Sequence, residues 1–116
     1  MASVTIASLS DLGRGIIPAG SAGVNRFIVA DGPIKRELIF CYVATADDFT
    51  NDDTLTSRLA HPFAVTVQSI NEDLTGTAFA GSVTLDTSES SSTFKTITLR
   101  DITTATAGIL VTVYGY

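Results

Sequence analysis

A chain of 116 residues, 45% hydrophobic and 16% charged, has the size of one domain and enough apolar side chains to bury a core unaided, which excludes a disordered chain and two independent cores. Ser and Thr make up about a quarter of it, Trp is absent, and Lys, Glu, Gln and Met are scarce, so strand surfaces are better supplied than helix surfaces. The formal charge of −5 sets the chain against phosphate backbones and anionic lipid, so neither nucleic acid nor a membrane is an expected partner.

Residues 3–9 (SVTIASL) alternate weakly and predict a first strand. Residues 10–23 (SDLGRGIIPAGSAG) hold four glycines and Pro18 and read as an irregular Gly/Ala-rich arm. Within it, Gly13-Arg14-Gly15 lacks the further glycine and the following helix of a phosphate-binding loop. The pair Ile16–Ile17 should not stay in water, and docks either on this domain's own core edge or on a neighbouring subunit.

Residues 24–30 (VNRFIVA) and 34–44 (IKRELIFCYVA) flank Asp31-Gly32-Pro33, a hairpin signal because glycine accepts the positive φ of tight turns. The stretch 38–43 (LIFCYV) is apolar on both faces and predicts a central strand. The adjacent Lys35–Arg36 pair has no basic neighbours and reads as strand surface. Cys41, the only cysteine, excludes an internal disulfide and reads as a buried, inert thiol.

Residues 45–62 (TADDFTNDDTLTSRLAHP) form the longest break. Asp52 or Asp53 is placed to cap a short helix through Leu55, Arg58 and Leu59 that Pro62 ends, the one helix expected. Asp47, Asp48, Asp52 and Asp53 supply hard oxygens for a calcium ion, but the alternating ligand register and its turn glycine are missing, so a solvated acidic loop is the first reading. His61 is the only histidine. With Cys41 it makes at most a nucleophilic pair, and the two cannot furnish a zinc site alone.

Further strands are predicted at 63–70 (FAVTVQSI), at 77–85 (TAFAGSVTL) after the turn 71–76, at 93–99 (TFKTITL) with Ile97 and Leu99 inward, and at 108–114 (GILVTVY). Residues 86–92 (DTSESSS) read as a solvated, mobile loop. If Val111 and Val113 point inward, Leu110, Thr112, Tyr114 and Tyr116 point outward. The tyrosines then form either a docking strand with a free edge or a lid over the end of the domain. The whole chain, 1–116, is thus expected to be one all-β domain, an antiparallel two-sheet β-sandwich of about seven strands. Jelly-roll and immunoglobulin-like arrangements both remain open.

No pairing of acid and base, no aromatic sugar platform and no cofactor motif stands out, so the chain is expected to be neither an enzyme nor a cofactor binder. It starts at Met1 without an apolar leader, which points to synthesis in a host cytoplasm. With its arm 10–23, its Ser/Thr-rich strands and its strand ending at Tyr116, the chain resembles the small all-β virion proteins of tailed bacteriophages, of the capsid decoration (cement) type. That resemblance implies a place in the virion. The implied partners are copies of itself, a trimer being one form, and a major capsid or other virion protein. The interface candidates are Ile16, Ile17, Leu110, Tyr114 and Tyr116. The alternative is a receptor- or glycan-binding module of a fibre or adhesin that works through loops 45–62 and 86–92.

Overall fold

Short runs of β-branched and aromatic residues, punctuated by turn formers, fold as strands. In the computed structural model the described residues are 3–4, 23–49, 52–70, 81–100 and 106–116. They form eight strands: β1 (Ser3–Val4), β2 (Gly23–Asp31), β3 (Ile34–Phe49), β4 (Thr54–Thr56), β5 (Pro62–Ile70), β6 (Ser82–Leu85), β7 (Thr96–Arg100) and β8 (Thr106–Gly115). No helix among the described residues is long and apolar enough to cross a membrane.

The larger sheet runs β2–β3–β8–β5, and the two-residue β1 joins the far end of β3 in parallel. The smaller sheet runs β4–β7–β6, and every pairing apart from that of β1 is antiparallel. The protein is therefore the expected all-β two-sheet sandwich. β2 and β3 meet through the predicted hairpin, with Asp31 opposite Ile34 and Gly32 at φ +65°. The last strand, β8, is threaded between β3 and β5.

The core lies between the sheets. Ile39 and Cys41 of β3 and Ile109, Val111 and Val113 of β8 meet Leu55, Leu59, Ile97 and Leu99 from the other side. Val65, Val67, Val83 and Leu85 close its flank. At one end of the sandwich β8 and the residues before β5 approach so closely that Gly115 has no room for a side chain. A Cβ there would lie 2.4 Å from the His61 carbonyl oxygen.

Three expectations need correction. β3 continues through Phe49, so the break begins later than residue 45. The helix expected between Asp52 and Leu59 does not form. Thr54-Leu55-Thr56 instead pairs with β7, which gives the backbone ladder partners and sends Leu55 into the core. Two β-branched threonines favour that outcome. Asp52 adopts φ 62°, and Asp53 accepts from the neighbouring Thr54 N–H rather than capping a helix. Finally, the strand predicted from residue 93 begins at Thr96, because residues 86–95 form a connection held by its own hydroxyls.

Candidate functional site

Side chains of the larger sheet that do not face the core include three rows that run across β2, β3, β8 and β5. Registration of the strands places Asn25, Phe40, Leu110 and Gln68 in one row. Phe27, Leu38, Thr112 and Thr66 make the second, and Val29, Arg36, Tyr114 and Ala64 the third. Phe27, Leu38, Phe40, Leu110 and Tyr114 are half-buried, and Phe27 meets Phe40 edge to face with ring centroids 6.2 Å apart. Arg36 is the one charged side chain in these rows.

Two of the expected interface residues, Leu110 and Tyr114, thus share this face, flanked by Phe27, Leu38 and Phe40. The expectation of a free edge at the C-terminal strand is wrong, since β8 has a partner on either side. Thr112, expected outward, is only 8% exposed. Tyr116 leaves the face altogether. Its backbone pairs with His61, and its ring lies 5.0 Å from the imidazole at a tilt of 32°. The same His61 places Nδ1 2.6 Å from Glu89 Oε1, so the three residues form an exposed cluster at one end of the sandwich. Ile16 and Ile17 lie outside the described residues.

A second cluster is buried, and sequence reading missed it. Glu37 is 0% exposed on the core face of β3. Its Oε2 accepts from Arg26 Nε and Nη2 at 3.0 and 2.6 Å, and its Oε1 accepts from Ser57 Oγ and the Arg58 N–H at 2.9 and 2.8 Å. Arg26 also donates to the Thr56 carbonyl at 2.7 Å. A carboxylate that accepts four hydrogen bonds is held in place. Its effect is to tie the hairpin β2–β3 to the segment following β4.

Residues with chemical potential are kept apart. Cys41 is fully buried, and that burial pushes its thiol up to about 12, against the opposing pull of the Arg26 charge. Opposite Cys41 on β8 stands Ile109, whereas His61 is bonded to Tyr116, roughly 20 Å further along at ~3.3 Å per residue. The four aspartates considered for calcium do not share a loop. Asp47 and Asp48 belong to β3, Asp52 pairs with Arg100 at 2.6 Å, and Asp53 holds the Thr54 N–H. Among the described residues no group of three or more His, Cys, Asp or Glu is arranged to hold a metal ion.

The smaller sheet carries an open groove of about 400 Å³. Cross-strand pairing aligns Thr54, Thr98 and Thr84 along its floor, ~4.8 Å from strand to strand, with Thr96 beside them. Asp86 and Arg100 also line it. Asp86 accepts from Thr93 Oγ1 and the Ser88 N–H, and these bonds, the Thr93 one foremost, hold its carboxyl below its usual value.

No protein-family model matches the chain, and neither the curated proteins nor the solved structures contain a match to it.

Proposed function

We propose that the chain is a non-enzymatic structural subunit that acts through protein–protein contacts, in the manner of a decoration (cement) protein on a bacteriophage capsid, with copies of itself and a major capsid protein as partners. The observation that supports this reading is the outer face of the larger sheet. Its three central rows hold the half-buried Phe27, Leu38, Phe40, Leu110 and Tyr114, with Arg36 their one charged side chain and Asn25, Thr66, Gln68 and Thr112 their polar ones, in a chain that carries 19 charged residues, 7 basic and 12 acidic. Depletion of charge and enrichment in Phe, Tyr and Leu distinguish the centre of an interface from ordinary surface. Burying such a side chain from full exposure contributes about 1.5–3 kcal/mol, and completing the burial of a half-buried one about half of that.

Leu110→Ser combined with Tyr114→Ser is expected to lower the mean mass in solution at a given concentration, read by light scattering, with little loss of melting temperature. An unchanged mass with a lower melting temperature would assign the face to the subunit's own packing.

The groove favours a second reading, a glycan-binding module. Thr54, Thr84, Thr96 and Thr98 present hydroxyls that donate and accept, as sugar hydroxyls require. On that reading, Thr84→Val with Thr98→Val abolishes binding in a screen of oligosaccharides. A wild-type chain that retains none of them contradicts it.

A further inference from the structure

Apolar side chains scattered singly over a surface need no explanation, but several gathered at one end of a fold mark a contact. Among the described residues the exposed large apolar side chains are Ile28, Ile34, Phe63 and Tyr116. All four sit at the end of the sandwich that carries the β2–β3 hairpin. Ile34 closes that hairpin opposite Asp31, and Ile28 stands opposite Glu37. Phe63 follows Pro62 and Tyr116 follows Gly115, and Lys35, Gly115 and Pro62 are register partners in one row across β3, β8 and β5.

Charge divides the molecule along the same axis. At the hairpin end Arg26 and Glu37 offset each other, which leaves Lys35, Arg36 and Arg58 against Asp31 and Glu89. The opposite end is acidic. Asp47 and Asp48 are among the last residues of β3, and Asp52 and Asp53 follow beside Leu99 and Arg100 at the end of β7. Residues 71–80 and 101–105, which continue from β5 and β7 at that end, add Glu72, Asp73 and Asp101 and contain neither Lys nor Arg.

We propose that copies of the chain associate head to tail, the hairpin end of one against the acidic end of the next. This rests on the self-association in the reading above and names the surfaces that carry it. Charge selects the occupant. Two copies with net charge −5 repel one another on the whole, and the head-to-tail orientation sets an apolar, basic surface against an acidic one. Burial of the exposed apolar side chains then supplies affinity, while the charges fix which ends meet. Such a contact uses a different patch on each copy, so its repetition closes into a ring when the rotation between neighbours allows.

The experiment uses two variants of the full chain. Ile28→Ser/Lys35→Glu alters the hairpin end. Both residues alternate along their strands with members of the outer rows, Phe27, Val29 and Arg36, so the outer face keeps its side chains. Asp47→Asn/Asp48→Asn alters the acidic end. Mass is read by light scattering at matched concentrations, and folding by thermal unfolding. Ile28 and Lys35 are exposed, so the first variant is expected to melt close to wild type. If either variant melts lower, Phe63→Ser and Asp52→Asn replace them at the same two ends. Each variant alone loses association about tenfold. An equimolar mixture is heavier than either variant alone, because the intact acidic end of one meets the intact hairpin end of the other. Association through the outer face gives no such gain, since both variants carry that face unchanged. Loss confined to the hairpin-end variant overturns the acidic end as its partner. If wild type associates and the mixture is no heavier than its components, the head-to-tail inference falls while the self-association reading stands. A wild-type chain that stays monomeric at every concentration overturns both.

Discussion

Glu37 shows how much a single buried charge can organise. It takes no part in an exposed site, yet its four hydrogen bonds reach Arg26, Ser57 and Arg58, and so connect β2 and β3 to the chain beyond β4. Removing one member of a buried pair leaves the other charge desolvated, at a cost of about 3–5 kcal/mol. Glu37→Leu and Arg26→Met are each expected to be destabilising on that scale in urea unfolding. The double variant should cost less than their sum, with a coupling of at least about 1 kcal/mol in the cycle. Additive losses would show that the two side chains act independently. The pair was legible in principle. The Asp31-Gly32-Pro33 turn fixes the register that sets Arg26 opposite Ile39 and Ile28 opposite Glu37, so Arg26 and Glu37 are diagonal neighbours on one face. Read one strand at a time, each looks like an ordinary surface residue, because alternation says which face a side chain takes and not whether another sheet covers it.

At the scale of elements, the strands carrying β-branched alternation were legible and the connections were not. β5 and β8 extend the predicted segments by one or two residues at their ends. Thr54-Leu55-Thr56, by contrast, is too short for period to decide, and the capping aspartates before it favoured a helix until β7 offered a ladder. Residues 86–92 read as a solvated loop because their polar side chains were assigned to water. In the structure they bond one another. Ser91 Oγ lies 2.9 Å from Thr93 Oγ1, and Asp86 receives both Thr93 and the Ser88 N–H. This gives the connection a pH dependence of definite sign. Asp86 titrates below its usual 3.8 in the folded chain, so its contribution is present above that value and is lost as pH falls through the lower, folded one. Urea unfolding of wild type and Asp86→Asn across a pH series should show a stability difference that narrows below about 3.8. A difference independent of pH would mean that the Asp86 charge does not hold the turn.

For the whole molecule, the decisive feature is that the last strand completes the sheet from within. β8 lies between β3 and β5, so the larger sheet closes only when the C-terminal segment inserts between strands made earlier. Sequence periodicity placed Val111 and Val113 in the core correctly, but strand order is a property of long-range pairing, on which local pattern is silent. For that reason Tyr114 was legible as an outward residue, and its place on an interior strand was not. The same insertion puts Leu110 and Tyr114 on an interior strand of the larger sheet, with β5 on one side of them and β3 on the other. Among the described residues, Cys41 and Glu37 are buried in the core and His61 is paired with Glu89. The central claim, that it functions by association, is tested most directly by absolute mass from light scattering over a concentration series of the unmodified chain. A fixed oligomer that builds up with concentration is the predicted result. A single species of monomer mass throughout would contradict it.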